Sequence, residues 1–242
     1  MHRWSDELCN PRILLFSILL LMTVAGAFGQ KAQPNTSWEE KPIDSWDAED
    51  VKTILQNSAW SNILIGKPSH SSPQLGTVVY ESRAVFTLRS SLIVRYAMVR
   101  SEQLKAKFDS MDTHGKVEFG KKFKPLLDCA LCEKFYIVAV WGDSDLLRQA
   151  GRVKNRAQNI YLSNEKGEKR ELANFSPKNA PDSEALFFFS RFDANGKPLI
   201  GPENTTLTFN FKNESGDEPV INLLEHVQIK VRDIVREGQV IF

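Results

Sequence analysis

The chain has 242 residues, a formal net charge of +1 and a hydrophobic content of 42%. This length corresponds to one large domain or two small ones, and the apolar content argues against intrinsic disorder. A nearly neutral chain has no global electrostatic field for nucleic acid, so nucleic acid is excluded as an expected partner.

Residues 1–29 have the pattern of an export signal. The basic residues His2, Arg3 and Arg12 precede an apolar run from Ile13 to Val24. Small residues follow this run, as a cleavage site requires. The pattern predicts a signal peptide over residues 1–29 and an exported protein, either periplasmic or secreted.

The alternative for this segment is an uncleaved membrane anchor, because Asp6 and Glu7 are unusual in the charged part of a signal. The apolar run reaches Phe28 at most, which is short of the roughly 18–20 residues that a spanning helix needs. We therefore expect cleavage after Ala27 or Gly29, and no integral membrane domain in the mature chain.

Residues 30–44 are polar and contain two prolines, so we expect a flexible leader. The remaining residues 45–242 are expected to form a single α+β domain. Its predicted architecture is a mostly antiparallel sheet with two or three helices packed on one side. Cleavage of the signal leaves Cys129 and Cys132, and an even cysteine count in an exported protein suggests a disulfide.

The first predicted helix begins after Asp47, which serves as N-cap with Asp50 three residues later in an imperfect capping box. A strand is predicted over residues 77–88, where Val, Tyr, Phe and Thr are frequent. Ser90 or Ser91 then caps a second helix that extends to about Phe108.

The second helix carries two arginines in contrasting positions. Its periodicity places Arg95 opposite the apolar arc, in water, and Arg100 inside the arc. A buried arginine needs a partner. Three interpretations of Arg100 follow. It forms a structural ion pair, it reaches water from the edge of the arc, or it binds an anion.

The second half of the chain is dominated by strand signals. The continuous apolar run Phe135–Trp141 predicts a strand that is covered on both faces. Turn dipeptides separate the strands that follow it. These strands are predicted at Ile160–Ser163, Arg170–Asn174, Leu186–Phe192, Thr205–Phe211, Val227–Arg232 and Val240–Phe242.

The pair Cys129 and Cys132 is a CxxC motif with three interpretations: a structural disulfide, a dithiol redox centre or half of a zinc site. A redox centre favours a thiol at a helix N-terminus, whereas Cys132 leads directly into a predicted strand. Zinc needs two further ligands, and the mature histidines are scattered. The context favours the structural disulfide.

Other polar groups have a functional and a structural interpretation. Asp143 and Asp145 follow a buried strand, where α/β proteins often bind ligands, but they also suit helix capping after Gly142. Two segments, which begin at Asp112 and Asp193, resemble the first half of a calcium-binding loop. Both lack the later ligand positions and are predicted to be β-turns.

A run of basic side chains follows these aspartates, and no acidic residue interrupts it before Glu165. A solvated loop is the simplest interpretation, and binding of an anionic envelope polymer is the functional one. The run consists of Arg148, Arg152, Lys154 and Arg156.

Four segments carry a family resemblance: Trp46–Trp60, Val94–Arg100, Phe187–Ile200 and Ile229–Gly238. Together they resemble a family of uncharacterised exported proteins associated with acidobacterial genomes. The resemblance covers most of the mature chain and implies export and a single domain, without a known activity.

The chain contains no GxSxG, HExxH, P-loop or GxGxxG motif, and no cofactor is expected. The expected function is therefore non-enzymatic binding or scaffolding in the cell envelope. An anionic envelope polymer or an envelope protein is the expected partner. The alternative is a thiol–disulfide oxidoreductase that uses Cys129 and Cys132.

Overall fold

The computed structural model describes residues 37–66, 69–72, 76–79, 82–142, 156–177, 184–212, 226–231, 235–236 and 239–240. Every described residue lies in one compact unit, Pro34–Phe242. The predicted signal peptide lies outside the described residues. The helices are α1 (Ala48–Gln56), α2 (Leu92–Lys105), α3 (Thr113–Asp128) and α4 (Arg156–Asn159).

Nine strands form one sheet, and every neighbouring pair in it is antiparallel. Their order is β1-β2-β5-β6-β9-β8-β7-β10-β11. The strands are β1 (Asn57–Ser58), β2 (Ser61–Gly66), β5 (Ser82–Leu88), β6 (Phe135–Gly142), β7 (Ile160–Asn164), β8 (Lys169–Ser176), β9 (Ala185–Ser190), β10 (Thr206–Phe211) and β11 (Val227–Lys230). Two further pairs are β3 (Ser69–Ser72) with β4 (Gly76–Val79), and β12 (Val235–Arg236) with β13 (Gln239–Val240). This is the α+β class that the sequence predicted.

The sheet curls around the core. β5 and β10 are five strands apart in the sheet order, so in a flat sheet they would be about 24 Å apart. The ring centroids of Phe86 on β5 and Phe209 on β10 are nevertheless only 5.5 Å apart. The sheet therefore encloses an aromatic centre in which Phe209 also contacts Phe187, Phe189 and Phe211.

The N-terminus of α1 forms as predicted. Asp47 accepts hydrogen bonds from the backbone N–H groups of Glu49 and Asp50, and the Asp50 carboxylate accepts one from the backbone of Asp47. Both halves of the capping box are therefore present, even though an aspartate replaces the usual glutamate. α1 then packs against α2 and against strands β1, β2 and β5.

A flexible leader was predicted over residues 30–44, but its described part, from Ser37 onward, belongs to the folded domain, and residues 30–36 lie outside the described residues. Ser37–Glu40 and Ile43–Ser45 are short 3-10 turns. Trp38 is buried, and its ring makes edge contacts with Trp46 and Trp60 at centroid distances of 6.0 and 5.8 Å. These contacts attach residues from Trp38 onward to the core.

Helix α3 was not predicted from the sequence. Asp112 is its N-cap and accepts a 2.7 Å hydrogen bond from the backbone N–H of Gly115, so the β-turn predicted there is wrong. Two glycines and Pro125 lie within the helix, and each weakens the sequence signal for a helix. No side chain of α3 is buried, and the helix packs against α2.

The predicted strands of the second half are confirmed with end shifts of a few residues, apart from the last. β13 covers Gln239–Val240 and pairs antiparallel with β12, so Val240 is part of a hairpin. Ile241 and Phe242 lie outside the described residues. Among the described helices, none is long and apolar enough to cross a membrane.

Candidate functional site

A groove opens on the face of β5 and β6 that points away from the aromatic centre. Ala84, Phe86 and Leu88 are buried in the core, so Val85 and its cross-strand partner Trp141 lie on the opposite face. The groove has a volume of about 420 Å³, and α1, α2 and α3 contribute to its wall. Its apolar lining consists of Leu55, Val85, Met98, Phe123, Leu126 and Trp141.

The charged side chains in this lining pair with one another. Nη1 of Arg89 lies 2.5 Å from Oε2 of Glu184, and Nζ of Lys105 lies 2.6 Å from Oε1 of Glu102. These four are the charged residues among the described residues that line the groove. The groove thus combines an apolar floor with charges that cancel in pairs, an arrangement suited to holding an apolar molecule.

Trp141 is the most exposed aromatic side chain in the groove. The sequence predicted a strand covered on both faces over Phe135–Trp141, and the side chains of residues 136–140 are indeed buried. Trp141 departs from this pattern, because 47% of it is exposed to solvent. A half-exposed tryptophan beside an apolar groove offers a flat stacking surface to a ligand.

Cys129 and Cys132 form a disulfide with a Cα–Cα distance of 5.3 Å. Cys129 is the C-cap of α3 in a left-handed conformation, and Cys132 is only 3% exposed. The negative end of the helix dipole lies at this terminus, where it opposes a thiolate. Both sulfurs are bonded to each other, so neither is available to a zinc ion in this structure.

Two arginines hold the segment around this disulfide. Nη1 of Arg95 donates a 2.5 Å hydrogen bond to the carbonyl of Leu127, and Nη1 of Arg191 donates a 3.0 Å bond to the carbonyl of Cys132. The prediction that Arg95 lies in water is wrong, because the side chain is 5% exposed. Arg95 is buried because it contacts the end of α3, a contact that the sequence did not reveal. Burial lowers the pKa of its guanidinium.

Replacing both Cys129 and Cys132 by serine should lower the free energy of unfolding by about 2 kcal/mol, because the disulfide closes only a very short loop. The far-ultraviolet circular dichroism spectrum should be unchanged, since Arg95 and Arg191 still hold the segment. Urea titration of both proteins measures the difference. An unchanged midpoint would show that the disulfide does not stabilise the domain.

Arg100 is buried and its guanidinium contacts protein groups. Nε donates a 2.8 Å hydrogen bond to the carbonyl of Trp46, and Nη1 donates a 3.2 Å bond to Oε1 of Gln103. Nη2 lies 3.6 Å from Oδ2 of Asp109. This is the structural ion pair that the sequence left open, and the ligand-binding role of Arg100 stays a prediction.

The candidates Asp143 and Asp145 lie outside the described residues, as do Arg148, Arg152 and Lys154 of the basic run. Arg156 is the first residue of α4. Within the described part of the chain, no group of three or more His, Cys, Asp or Glu side chains is arranged to hold a metal ion.

The turn at Asp193, which resembles the start of a calcium loop, is confirmed as a turn. The Asp193 carboxylate accepts hydrogen bonds of 2.9 and 2.8 Å from the backbone N–H groups of Asn195 and Lys197. The bond from Lys197 is the largest cause that lowers the pKa of this carboxyl below 3.8. Gly196 adopts a φ of 77°, as this turn requires.

Replacing Asp193 by asparagine should therefore destabilise the protein at neutral pH and have no effect in strong acid. A lowered pKa in the folded state contributes stability above the ordinary value of 3.8. That contribution is lost as the pH falls through the lowered pKa. Urea titrations of both proteins from pH 7 downward test this expectation. A stability difference that persists at the lowest pH would contradict it.

The groove is the feature that the sequence did not predict. Its six apolar residues come from five different elements, and two of the six, Phe123 and Leu126, lie on the unpredicted helix α3. The one local signal was a tryptophan at the end of an otherwise buried strand. No protein-family model, curated protein or solved structure matches this chain.

Proposed function

We propose that the chain is an exported cell-envelope protein that binds an apolar ligand in the groove and carries out no chemistry on it. The groove itself is the observation that carries this proposal. Its volume of about 420 Å³ falls within the range of about 300–1,000 Å³ that is typical of ligand sites. In this proposal the helices lie on one side of the sheet, where α2 and α3 face β5 and β6 across the ligand.

Export is the second part of the proposal, and it rests on the signal pattern of residues 1–29. A disulfide between Cys129 and Cys132 is consistent with an oxidising compartment. The resemblance to exported proteins from acidobacterial genomes supports the same location. A scaffolding role toward an envelope protein or an anionic polymer remains a separate prediction for the basic run.

The alternative of a thiol–disulfide oxidoreductase has weaker support. The attacking thiol of such enzymes is exposed and activated, often by a helix N-terminus. Here Cys129 follows the C-terminus of α3, and Cys132 is buried. An insulin-reduction assay separates the two proposals, because a binding protein gives no turnover above the uncatalysed rate.

Binding of N-phenyl-1-naphthylamine, an uncharged dye that fluoresces in apolar sites, tests the proposed groove. The wild-type domain should bind the dye, and replacing Trp141 by alanine should weaken binding by about tenfold, since buried aromatic contacts dominate many binding sites. Phe192 is a matched control because it is also 47% exposed and does not line the groove. Replacing Phe192 by alanine should leave the affinity unchanged. Equal effects of both substitutions would reject the groove as the site.

A further inference from the structure

We infer that the ligand of this groove is an uncharged lipid whose apolar chain extends across the sheet surface toward β2. The inference rests on the proposed function, because it specifies the ligand of the same groove. Two independent observations support it: the pairing of the charges in the lining, and the apolar residues that continue beyond the groove.

The charges in the groove favour a neutral occupant. Arg89 pairs with Glu184 and Lys105 pairs with Glu102, at 2.5 and 2.6 Å. A charged group placed beside the partly buried Arg89–Glu184 pair would compete with that ion pair, or be desolvated without an unpaired counter-charge in the groove lining. The Lys105–Glu102 pair is more exposed and adds little to this cost. An uncharged ligand avoids the cost, so the lining favours it over fatty acids and other ionised amphiphiles.

The apolar surface continues from the groove to the edge of the sheet. Val85 lies between Trp141 on β6 and Ile63 on β2 in the cross-strand register. These three residues form one row, which we call the apolar row. Ile63 is 41% exposed, and Ile65, two residues along the same face, is 51% exposed.

The length of the apolar row indicates which ligand shape fits the site. It crosses two strand spacings, or about 10 Å, from Trp141 to Ile63. A compact molecule would fill the groove and leave Ile63 in water. A flexible hydrocarbon chain that leaves the groove over Val85 can cover Ile63, because Trp141, Val85 and Ile63 are cross-strand partners on the same face of the sheet. The geometry thus favours a long-chain neutral lipid over a compact apolar molecule.

The charge preference can be measured with two dyes that share one aromatic skeleton. N-phenyl-1-naphthylamine is neutral, and 8-anilino-1-naphthalenesulfonate carries a sulfonate. The wild-type domain should bind the neutral dye at least about tenfold more tightly than the anionic dye. Glu184→Gln frees the charge of Arg89, so it should raise the affinity for the anionic dye relative to that for the neutral dye. Equal or tighter binding of the anionic dye by the wild type would overturn the inference.

The length preference is measured by displacing the neutral dye with monoacylglycerols. A long-chain monoacylglycerol should compete better than a short-chain one, and Ile63→Ser should remove this advantage without affecting the short-chain competitor. Ile43→Ser is the matched control, because Ile43 is 37% exposed and lies outside the groove lining. Equal effects of the two substitutions would overturn the inference.

The two proposals fail in different ways. If neither dye binds the wild-type domain, the proposed function is wrong, and the identity of its ligand is wrong with it. If the neutral dye binds through Trp141 but charge and chain length have no effect, the groove remains a binding site and the neutral lipid alone is rejected.

Discussion

Replacing Phe209 by alanine should lower the free energy of unfolding by about 3–5 kcal/mol, the usual cost of removing a buried phenylalanine ring. Phe209 is fully buried. Its ring centroid lies 5.5 Å from that of Phe86 and 5.4 Å from that of Phe187. The substitution therefore removes the contact that joins strands distant in the sheet order. Urea denaturation followed by tryptophan fluorescence measures the loss.

Phe192→Ala is the control for this substitution, since it removes the same ring from an exposed site. It should cost less than about 1 kcal/mol, because its main described contact is the Arg191 guanidinium 5.9 Å from the ring centroid. If the two variants are equally stable, the aromatic centre does not hold the curled sheet together.

Replacing Trp38 by alanine should also destabilise the domain by about 3–5 kcal/mol. The residue lies in a segment whose composition suggests a linker, yet its ring is buried against Trp46 and Trp60. The substitution leaves a cavity, because the indole Nε1–H of Trp46 still donates its 3.0 Å hydrogen bond to the Trp38 backbone carbonyl and keeps the segment in place. Differential scanning calorimetry measures the fall in Tm.

Trp141→Ala is the matched control, because it removes an indole that is 47% exposed. Its effect on Tm should be much smaller than that of Trp38→Ala. A domain that begins at residue 45 and retains the full Tm would contradict the assignment of Trp38 to the core.

Local sequence patterns predicted much of the fold. The capping box at Asp47 and the strand that begins at Phe135 depend on residues within a few positions of one another, and both form as predicted apart from the exposure of Trp141. Helix α3 was missed because its Gly115, Gly120 and Pro125 are unfavourable in isolated helices. Packing against α2 and the hydrogen bond from Arg95 compensate for them, and both are long-range contacts.

The candidate site was less accessible to prediction than the fold. Sequence reasoning concentrated on CxxC and on aspartates, because these residue types carry chemistry by themselves. The groove depends instead on the cross-strand register that places Val85 beside Trp141, and on helices that approach it from other parts of the chain. Neither the register nor the helix placement follows from local periodicity. Arg95 shows the same limit, since its burial depends on α3.

The strand order also determines how the chain folds. β5 pairs with β6, and β6 pairs with β9, yet the partners Phe86 and Val140, or Val138 and Phe187, are about fifty residues apart in the chain. Such high contact order makes folding slow, on the scale of milliseconds to seconds. Of the helices between β5 and β6, α2 forms on local contacts before these strands meet, whereas α3 depends on its packing against α2. Until then the apolar strands have open edges, the state in which incompletely folded chains are most prone to aggregate.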